Sequence, residues 1–300
     1  MSGYLTKNYA ESLAEFGLPY FLPKSKSWIL KQTIPNSDYI DARGCYPLFT
    51  CVHPQKLVDD FAALNEKIVS LAFVTDPFSP YKLEDWQKIM PDVCFPYKTH
   101  FMVELQNGYE QALSRHHLRN VRKASQILNI KHTNSPDFLL NRWLQLYSNL
   151  IERHNIRGIA RFSKDGFKKQ LTTPGIRATW AEYEDIIIGI VLWYKMKNNV
   201  FYHLAAYDET GYRMKASYAI FNYALQIFRE EGVEFVNLGA GAGLTNSGND
   251  GLTRFKKGWA NTTRPVYFCG RIFNTTLYNT LTRAGSQKAS QSFFPAYRSQ

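Results

Sequence analysis

Hydrophobic and polar positions along the chain follow two periods in turn, and the places where the period changes mark the elements. Leu57, Val58, Phe61, Leu64 and Ile68 recur at helical spacing and lead into an apolar run, Ile68 to Val74, that suits a buried strand. Asp76-Pro77-Phe78 ends the run, because proline has no N–H to pair. Gln111 to Leu128 predicts a strongly basic helix. Ser135-Pro136-Asp137 is a helix-start signal, and Phe138 to His154 follows with Leu139, Trp143, Leu146, Tyr147 and Leu150 on one stripe. Phe162 to Leu171 predicts a second short helix, closed by Pro174-Gly175. From there the period drops to two. Ala178 to Glu184, Ile187 to Met196 and Val200 to Tyr207 predict three strands, and their short polar connections make them an antiparallel meander. A helix from about Lys215 to Glu231 stops at Gly232, and a buried strand, Phe235 to Leu238, runs into the glycine-rich stretch Gly239 to Gly243. A short helix, Gly251 to Trp259, and a last strand, Pro265 to Phe273, complete the order.

Three antiparallel strands followed by a helix that returns to a parallel neighbour predict an α+β fold with a mixed, mainly antiparallel sheet flanked by helices. The strands on either side of such a crossover can diverge and leave a slot beside the helix N-terminus. Unpaired N–H groups and the positive end of the helix dipole would meet an anionic ligand there. The loop at this place holds Arg213, Met214, Lys215, Ala216 and Ser217. Two cations where a helix normally prefers acids suggest a phosphate or carboxylate guest; the alternative is a solvated loop.

Composition narrows the class. The 300 residues allow one large domain or two ordinary ones, and 45% apolar with 20% charged residues excludes a disordered or fibrous chain. The net charge of +11 is uneven: residues 1–110 carry ten basic and thirteen acidic side chains, 111–250 eighteen and twelve, and 251–300 eight and none. A basic back half favours an anionic partner such as phosphates, RNA or a lipid surface. The first residues lack the apolar core of a secretory signal, and the longest apolar run, Ile186 to Tyr194, spans nine residues where about 20 are needed to cross a bilayer. The expectation is a cytoplasmic protein with no transmembrane segment, with peripheral membrane contact through the basic end still open. Cys45, Cys51, Cys94 and Cys269 have neither CxxC nor zinc-finger spacing and are expected as reduced thiols, and no metal site is expected.

Several residues are candidates for chemistry, each beside a structural alternative. His203 lies in the strand before the crossover and suits a proton acceptor, or else a hydrogen-bonded core histidine. Asp76 at a strand end suits the same role, or a turn cap. Arg153 and His154 place donors at a helix end, where cations also satisfy terminal carbonyls. Arg119, Arg122 and Lys123 form a basic strip or a solvated face. Lys256 and Lys257 flank Phe255 and precede Trp259, so the aromatics point inward and the lysines toward the slot or solvent. Tyr207 ends the strand before the crossover. Gly239 and its neighbouring glycines lack the GxGxxG order and instead allow backbone to approach a ligand or another strand. No Ser-His-Asp or Cys-His order and no P-loop is present.

YHLAAYDETGYRMKASYAIFNYAL and LGAGAG…DGLTRFKKGW, in this order of elements, resemble the GNAT acyltransferase fold. Together with RHHLRNVRKA and LYSNLIERHNIRGIARFS, they are similar to its FemAB-like branch, whose members carry two such domains in tandem. The match is good over roughly residues 110–275. VSLAFVTDPF followed by THFMVEL looks like a degenerate copy of the same strands. The resemblance implies tandem GNAT-like lobes at 1–108 and 109–275 with a basic tail at 276–300. It also implies an acyl- or aminoacyltransferase acting on amines or hydroxyls, in this branch on cell-envelope precursors, with acyl-CoA or aminoacyl-tRNA as donor. It favours Lys256 as a substrate-facing group. With it, His203 and Asp76 are the catalytic candidates, the Arg213–Ser217 loop the expected donor site, and Arg119, Arg153, His154, Tyr207, Gly239 and Trp259 the expected substrate contacts. The expected partner is polyanionic: CoA, tRNA or a lipid-linked precursor. One departure stands out. The family's pyrophosphate loop reads Arg/Gln-x-x-Gly-x-Gly/Ala, whereas Ala216 and Tyr218 stand at the two small positions here, and their side chains hinder close backbone approach. A non-catalytic RNA- or phospholipid-binding module on the same fold is the competing reading.

Overall fold

Ile188, Ile190, Leu192 and Tyr194 alternate with Val191 and Trp193 along one strand, and both sets are buried, so that strand must be covered on both faces. The computed structural model that shows this describes residues 1–64, 68–106, 108–155, 158–241, 250–285 and 293–299. In chain order the elements are α1 (Lys7–Glu11), β1 (Leu18–Leu22), β2 (Ser27–Thr33), β3 (Ile40–Gly44), α2 (Leu57–Leu64), β4 (Ser70–Val74), α3 (Leu83–Ile89) and β5 (Val93–Glu104). Next come α4 (Tyr109–Ala112), α5 (Arg115–Ser125), β6 (Asn129–Thr133), α6 (Leu140–His154), α7 (Lys164–Leu171), β7 (Ile176–Tyr183), β8 (Ile186–Met196) and β9 (Asn199–Tyr207). Last are α8 (Glu209–Arg213), α9 (Ala216–Glu230), β10 (Phe235–Gly239), α10 (Gly251–Lys257), β11 (Thr262–Ile272) and α11 (Thr275–Gly285).

The chain forms two units, one of Met1–Asn8 with Thr99–Arg264 and the other of Tyr9–Lys98 with Pro265–Gln300. In the first, β6, β7, β8 and β9 form the antiparallel meander, β10 joins β9 in parallel after the α9 crossover, and β5 pairs antiparallel with β10. One face of this sheet buries Val103, Trp193, Val200, Val236 and Leu238 against Ala219, Ile220, Phe221 and Ala224 of α9. The other carries Phe201 and His203 of β9 against Tyr4. In the second unit β1, β2 and β3 are antiparallel, β4 lies parallel to β3 after the α2 crossover, and β11 pairs antiparallel with β4. Meander, helix and parallel strand thus occur twice. In each unit the strand pairing is mixed and mainly antiparallel, as the sequence predicts.

Two elements differ from their sequence expectation. The basic helix is divided into α4 and α5, because Leu113 is extended and Ser114 caps α5 by accepting from the His117 N–H. Residues Asn129–Thr133 form an edge strand that the polar sequence Asn-Ile-Lys-His-Thr does not announce. Among the described residues no helix is long and apolar enough to cross a membrane. Nor is any group of three or more His, Cys, Asp or Glu placed there to hold a metal ion.

Candidate active site

Strands β9 and β10 part company early. They pair at Asn199↔Phe235, Val200↔Val236 and Phe201↔Asn237, and β9 then continues to Tyr207 with no β10 partner. The cause lies in β10. Its register against β5 shifts between Asn237 and Gly239, the signature of a bulge, and Gly239 is left-handed at φ +75°. Asn237 fixes this bend, because its Oδ1 accepts from the Gly239 N–H at 2.8 Å. The result is a gap between two strands beside the start of α9.

Lys256 fills one side of this gap. Helix α10 starts at Asp250, whose carboxylate caps the Thr253 N–H, and Phe255 anchors it against Tyr218 and Phe221 with ring centroids 5.1 and 4.9 Å apart. Those contacts turn the adjacent Lys256 inward. It is buried, its Nζ donates to the Ala240 carbonyl at 2.6 Å, and it lies 5.3 Å from the centre of the Tyr202 ring. A Cβ on Gly239 would come within 3.3 Å of that Nζ, so glycine clears the space that the ammonium uses.

The donor loop lies at the start of α9. Asp208 caps α8 by accepting from the Gly211 N–H at 2.9 Å, and its second oxygen takes the Arg142 guanidinium at 2.8 Å. Lys215, the N-cap of α9, is left-handed at φ +61° and exposed, as is Arg213. Among the described residues, the N–H groups of Ala216 and Ser217 have no acceptor. Ala216 is buried, whereas Met214 and Ser217 are partly open. Tyr218, in place of the second small residue, packs its ring 5.0 Å from His117 of α5.

The remaining expected residues divide sharply. His203 is a core residue: its Nδ1 meets the Tyr4 hydroxyl at 3.2 Å and its Nε2 meets Gln170 Oε1 at 3.2 Å. Burial pushes its pKa down to about 3, so it is neutral, and its contacts lie on the sheet face opposite α9. The core alternative fits His203, where the sequence suggested a proton acceptor at the slot. Asp76 belongs to the other unit and accepts from the Phe78 N–H at 2.9 Å as a turn cap. Trp259 is fully buried against His117 and Phe221 and has no surface left for a substrate. Tyr207 is buried with its ring 5.5 Å from Tyr212. Arg153 is exposed and stacks 4.3 Å over Tyr212, and Arg119 is exposed on α5. The His154 side chain, Arg157 and Gly243 lie outside the described residues. Within this unit the structure therefore gathers Lys256, Gly239 and the 213–217 loop, and leaves His203 and Trp259 out.

One buried polar pair across β5 and β10 escapes sequence reasoning. His100 of β5 is buried, with Nδ1 3.1 Å from Asn237 Oδ1. Both are polar residues inside otherwise apolar strands, Phe-Met-Val after one and Val and Leu around the other, and that is the signal the sequence did carry.

Residues 113–257 match the family model described as an acetyltransferase (GNAT) domain. No curated protein sequence matches the chain. Among solved structures, FemX is 12% identical with a TM-score of 0.66, over 91% of this chain and 93% of its own. A C-terminal domain assigned to a lysylphosphatidylglycerol synthetase of Agrobacterium fabrum is 16% identical at TM-score 0.60, over 92% and 88%. L-PGS from Bacillus licheniformis is 15% identical at 0.59, over 93% and 96%. In fold, and in the domain matched at residues 113–257, the chain resembles the FemAB-like branch of the GNAT acyltransferases, as its sequence motifs imply.

Proposed function

We propose that the chain is an acyl- or aminoacyltransferase, moving an acyl group from acyl-CoA or aminoacyl-tRNA to an amine or hydroxyl acceptor. The observation that carries this reading is the gap between β9 and β10, entered by the buried Lys256 and flanked by open N–H groups at the start of α9. A donor phosphate at Arg213, Lys215 and the Ala216 and Ser217 N–H groups would lay the acyl carbonyl into the gap. Attack by an amine forms the C–N bond and builds negative charge on the carbonyl oxygen, and the C–S or C–O bond to the donor then breaks. The Lys256 ammonium, already fixed and largely removed from water, is placed to donate to that oxygen. Positioning two substrates in one gap supplies much of the remaining effect. The name of the Agrobacterium neighbour joins a lysyl group to phosphatidylglycerol, which supports an aminoacyl donor and a lipid acceptor.

The test is group transfer from acetyl-CoA and from charged tRNA to a panel of amines and an anionic lipid, compared between the wild type and Lys256→Met. Loss of about 10²–10³-fold in turnover with donor affinity intact supports the reading. Donor binding with no transfer in the wild type would favour the second reading, a non-catalytic RNA- or phospholipid-binding module. That reading draws on Ala216 and Tyr218, which crowd the place where a pyrophosphate would approach backbone.

A further inference from the structure

Two of the four cysteines meet in the second unit, although they stand 175 positions apart in the chain. Cys94 lies near the start of β5, and Cys269 lies in β11, opposite Phe73 of β4. Their Sγ atoms are 3.3 Å apart. The adjacent residues Phe95 and Phe268 also meet, with ring centroids 5.6 Å apart. Successive side chains alternate along a strand, so that contact lies on the opposite face. Contacts on both faces hold the two strands side by side at this level. An S–S bond of about 2.05 Å requires the sulfurs to approach by about 1.3 Å.

The two thiols differ in access. Cys269 is fully buried in the apolar core of this unit, whereas Cys94 is half-buried at its margin. Burial penalises a thiolate, so Cys269 keeps its proton and donates toward Cys94. That hydrogen bond holds the Cys94 thiol below its ordinary pKa and pushes Cys269 above it. Burial pushes Cys45 and Cys51 up to about 12. We propose that Cys94 and Cys269 are a redox pair that exchanges with a low-molecular-weight disulfide, Cys94 attacking and Cys269 resolving. The Cys94 thiolate attacks one sulfur of the small disulfide, whose S–S bond breaks to release one thiolate. Cys269 then attacks Cys94 Sγ, forms the internal bond and expels the second small thiolate. The two cysteine protons end on the released thiolates, so two cysteine thiols are oxidised and one disulfide is reduced to two thiols. The chain passes from the second unit to the first between Lys98 and Thr99 and returns between Arg264 and Pro265. The bond therefore ties, inside the second unit, the strand that leaves it to the strand that comes back.

The experiment treats the full, folded chain at neutral pH with oxidised glutathione. We expect two of the four thiols to become resistant to alkylation, peptide mapping to join Cys94 to Cys269, and dithiothreitol to restore all four. The oxidised protein should unfold at a higher denaturant concentration than the reduced one, because the bond restricts the unfolded chain. Cys269→Ala should stop with glutathione on Cys94, and Cys94→Ser should leave its remaining thiols free. Wild type that retains glutathione on Cys94 without the internal bond overturns the pairing. So does oxidation that starts at Cys45 or Cys51, or that appears only once denaturant is added. Mapping of the wild type decides this even where a variant fails to fold, and none of these outcomes depends on whether the chain transfers an acyl group.

Discussion

Gly239 couples backbone to chemistry most tightly. Its φ of +75° lies where an L side chain is strained, and its missing Cβ leaves room for Lys256 Nζ. Gly239→Ala should cost about 1–2 kcal/mol from the left-handed backbone alone. It should also displace the ammonium and lower turnover beyond that loss of stability. Denaturant midpoints and rates measured on one preparation check both, and full turnover in a destabilised variant would show that the position of Lys256 is unimportant. His203 makes the opposite prediction, one of stability without catalysis. Its folded pKa lies near 3, below the ordinary value of 6.5, because burial disfavours the charged ring. In that window the unfolded chain binds a proton and the folded chain does not. The stabilisation is therefore complete above pH 6.5 and is lost as pH falls toward 3, by up to about 1.4 kcal/mol per pH unit. Melting temperatures from pH 7 to pH 4 should fall more steeply for wild type than for His203→Gln. Parallel curves would mean that this histidine titrates normally.

Helix α9 and the strands around it show what periodicity can and cannot reveal. The β7–β9 meander, α9 and β10 were legible because each is a long element with a buried face, and the parallel return of β10 follows from a helix placed between strands. The gap between β9 and β10 was legible for the same reason. Strand β6 was not, since an edge strand of polar residues has no apolar rhythm. Nor was the partnership of β5 with β10, which joins residues more than 130 positions apart in sequence. With that pairing hidden, His100 and Asn237 were two unrelated polar residues. The first turn of α9 carries its own prediction. Tyr218 packs between His117 and Phe255, so it stabilises the α5–α9–α10 contact at the place where the family pattern has a small residue. Tyr218→Gly should destabilise by about 2–3 kcal/mol, combining lost ring packing with a glycine inside a helix. The double variant with Ala216→Gly should nevertheless bind CoA more tightly than wild type by calorimetry. Unchanged CoA affinity would show that these two side chains do not obstruct the donor.

Charge acts through the arrangement of the whole chain, and the structure redistributes what the sequence count implies. Residues 251–300 carry eight cations and no acid, yet several are engaged. Arg298 is paired with the buried Asp41 at 2.6 Å, Arg271 donates to the Ile89 carbonyl at 2.8 Å, Arg264 stacks on Phe235, and Lys256 is buried in the gap. Of that segment, Arg254 and Lys257 on α10 stay open to a polyanion, and they are joined by Arg115, Arg119, Arg122 and Lys123 on α5. Helices α5 and α10 meet through His117, whose Nε2 lies 2.8 Å from the Phe255 carbonyl oxygen, so these side chains border a common surface beside the start of α9. Counterion release then sets the expectation. With about four phosphate contacts, the logarithm of the tRNA association constant should fall against the logarithm of salt concentration with a slope near −3. Free CoA, whose phosphates occupy one local place, should give a shallower line. Replacing Arg119 and Lys123 together by glutamine should flatten the tRNA slope by about one to two units and leave the CoA line unchanged. Titrations of tRNA, CoA and anionic vesicles from low to moderate salt decide the matter, because slopes shallower than about −1 for all three would mean that the basic excess is screened surface charge with no polyanionic partner.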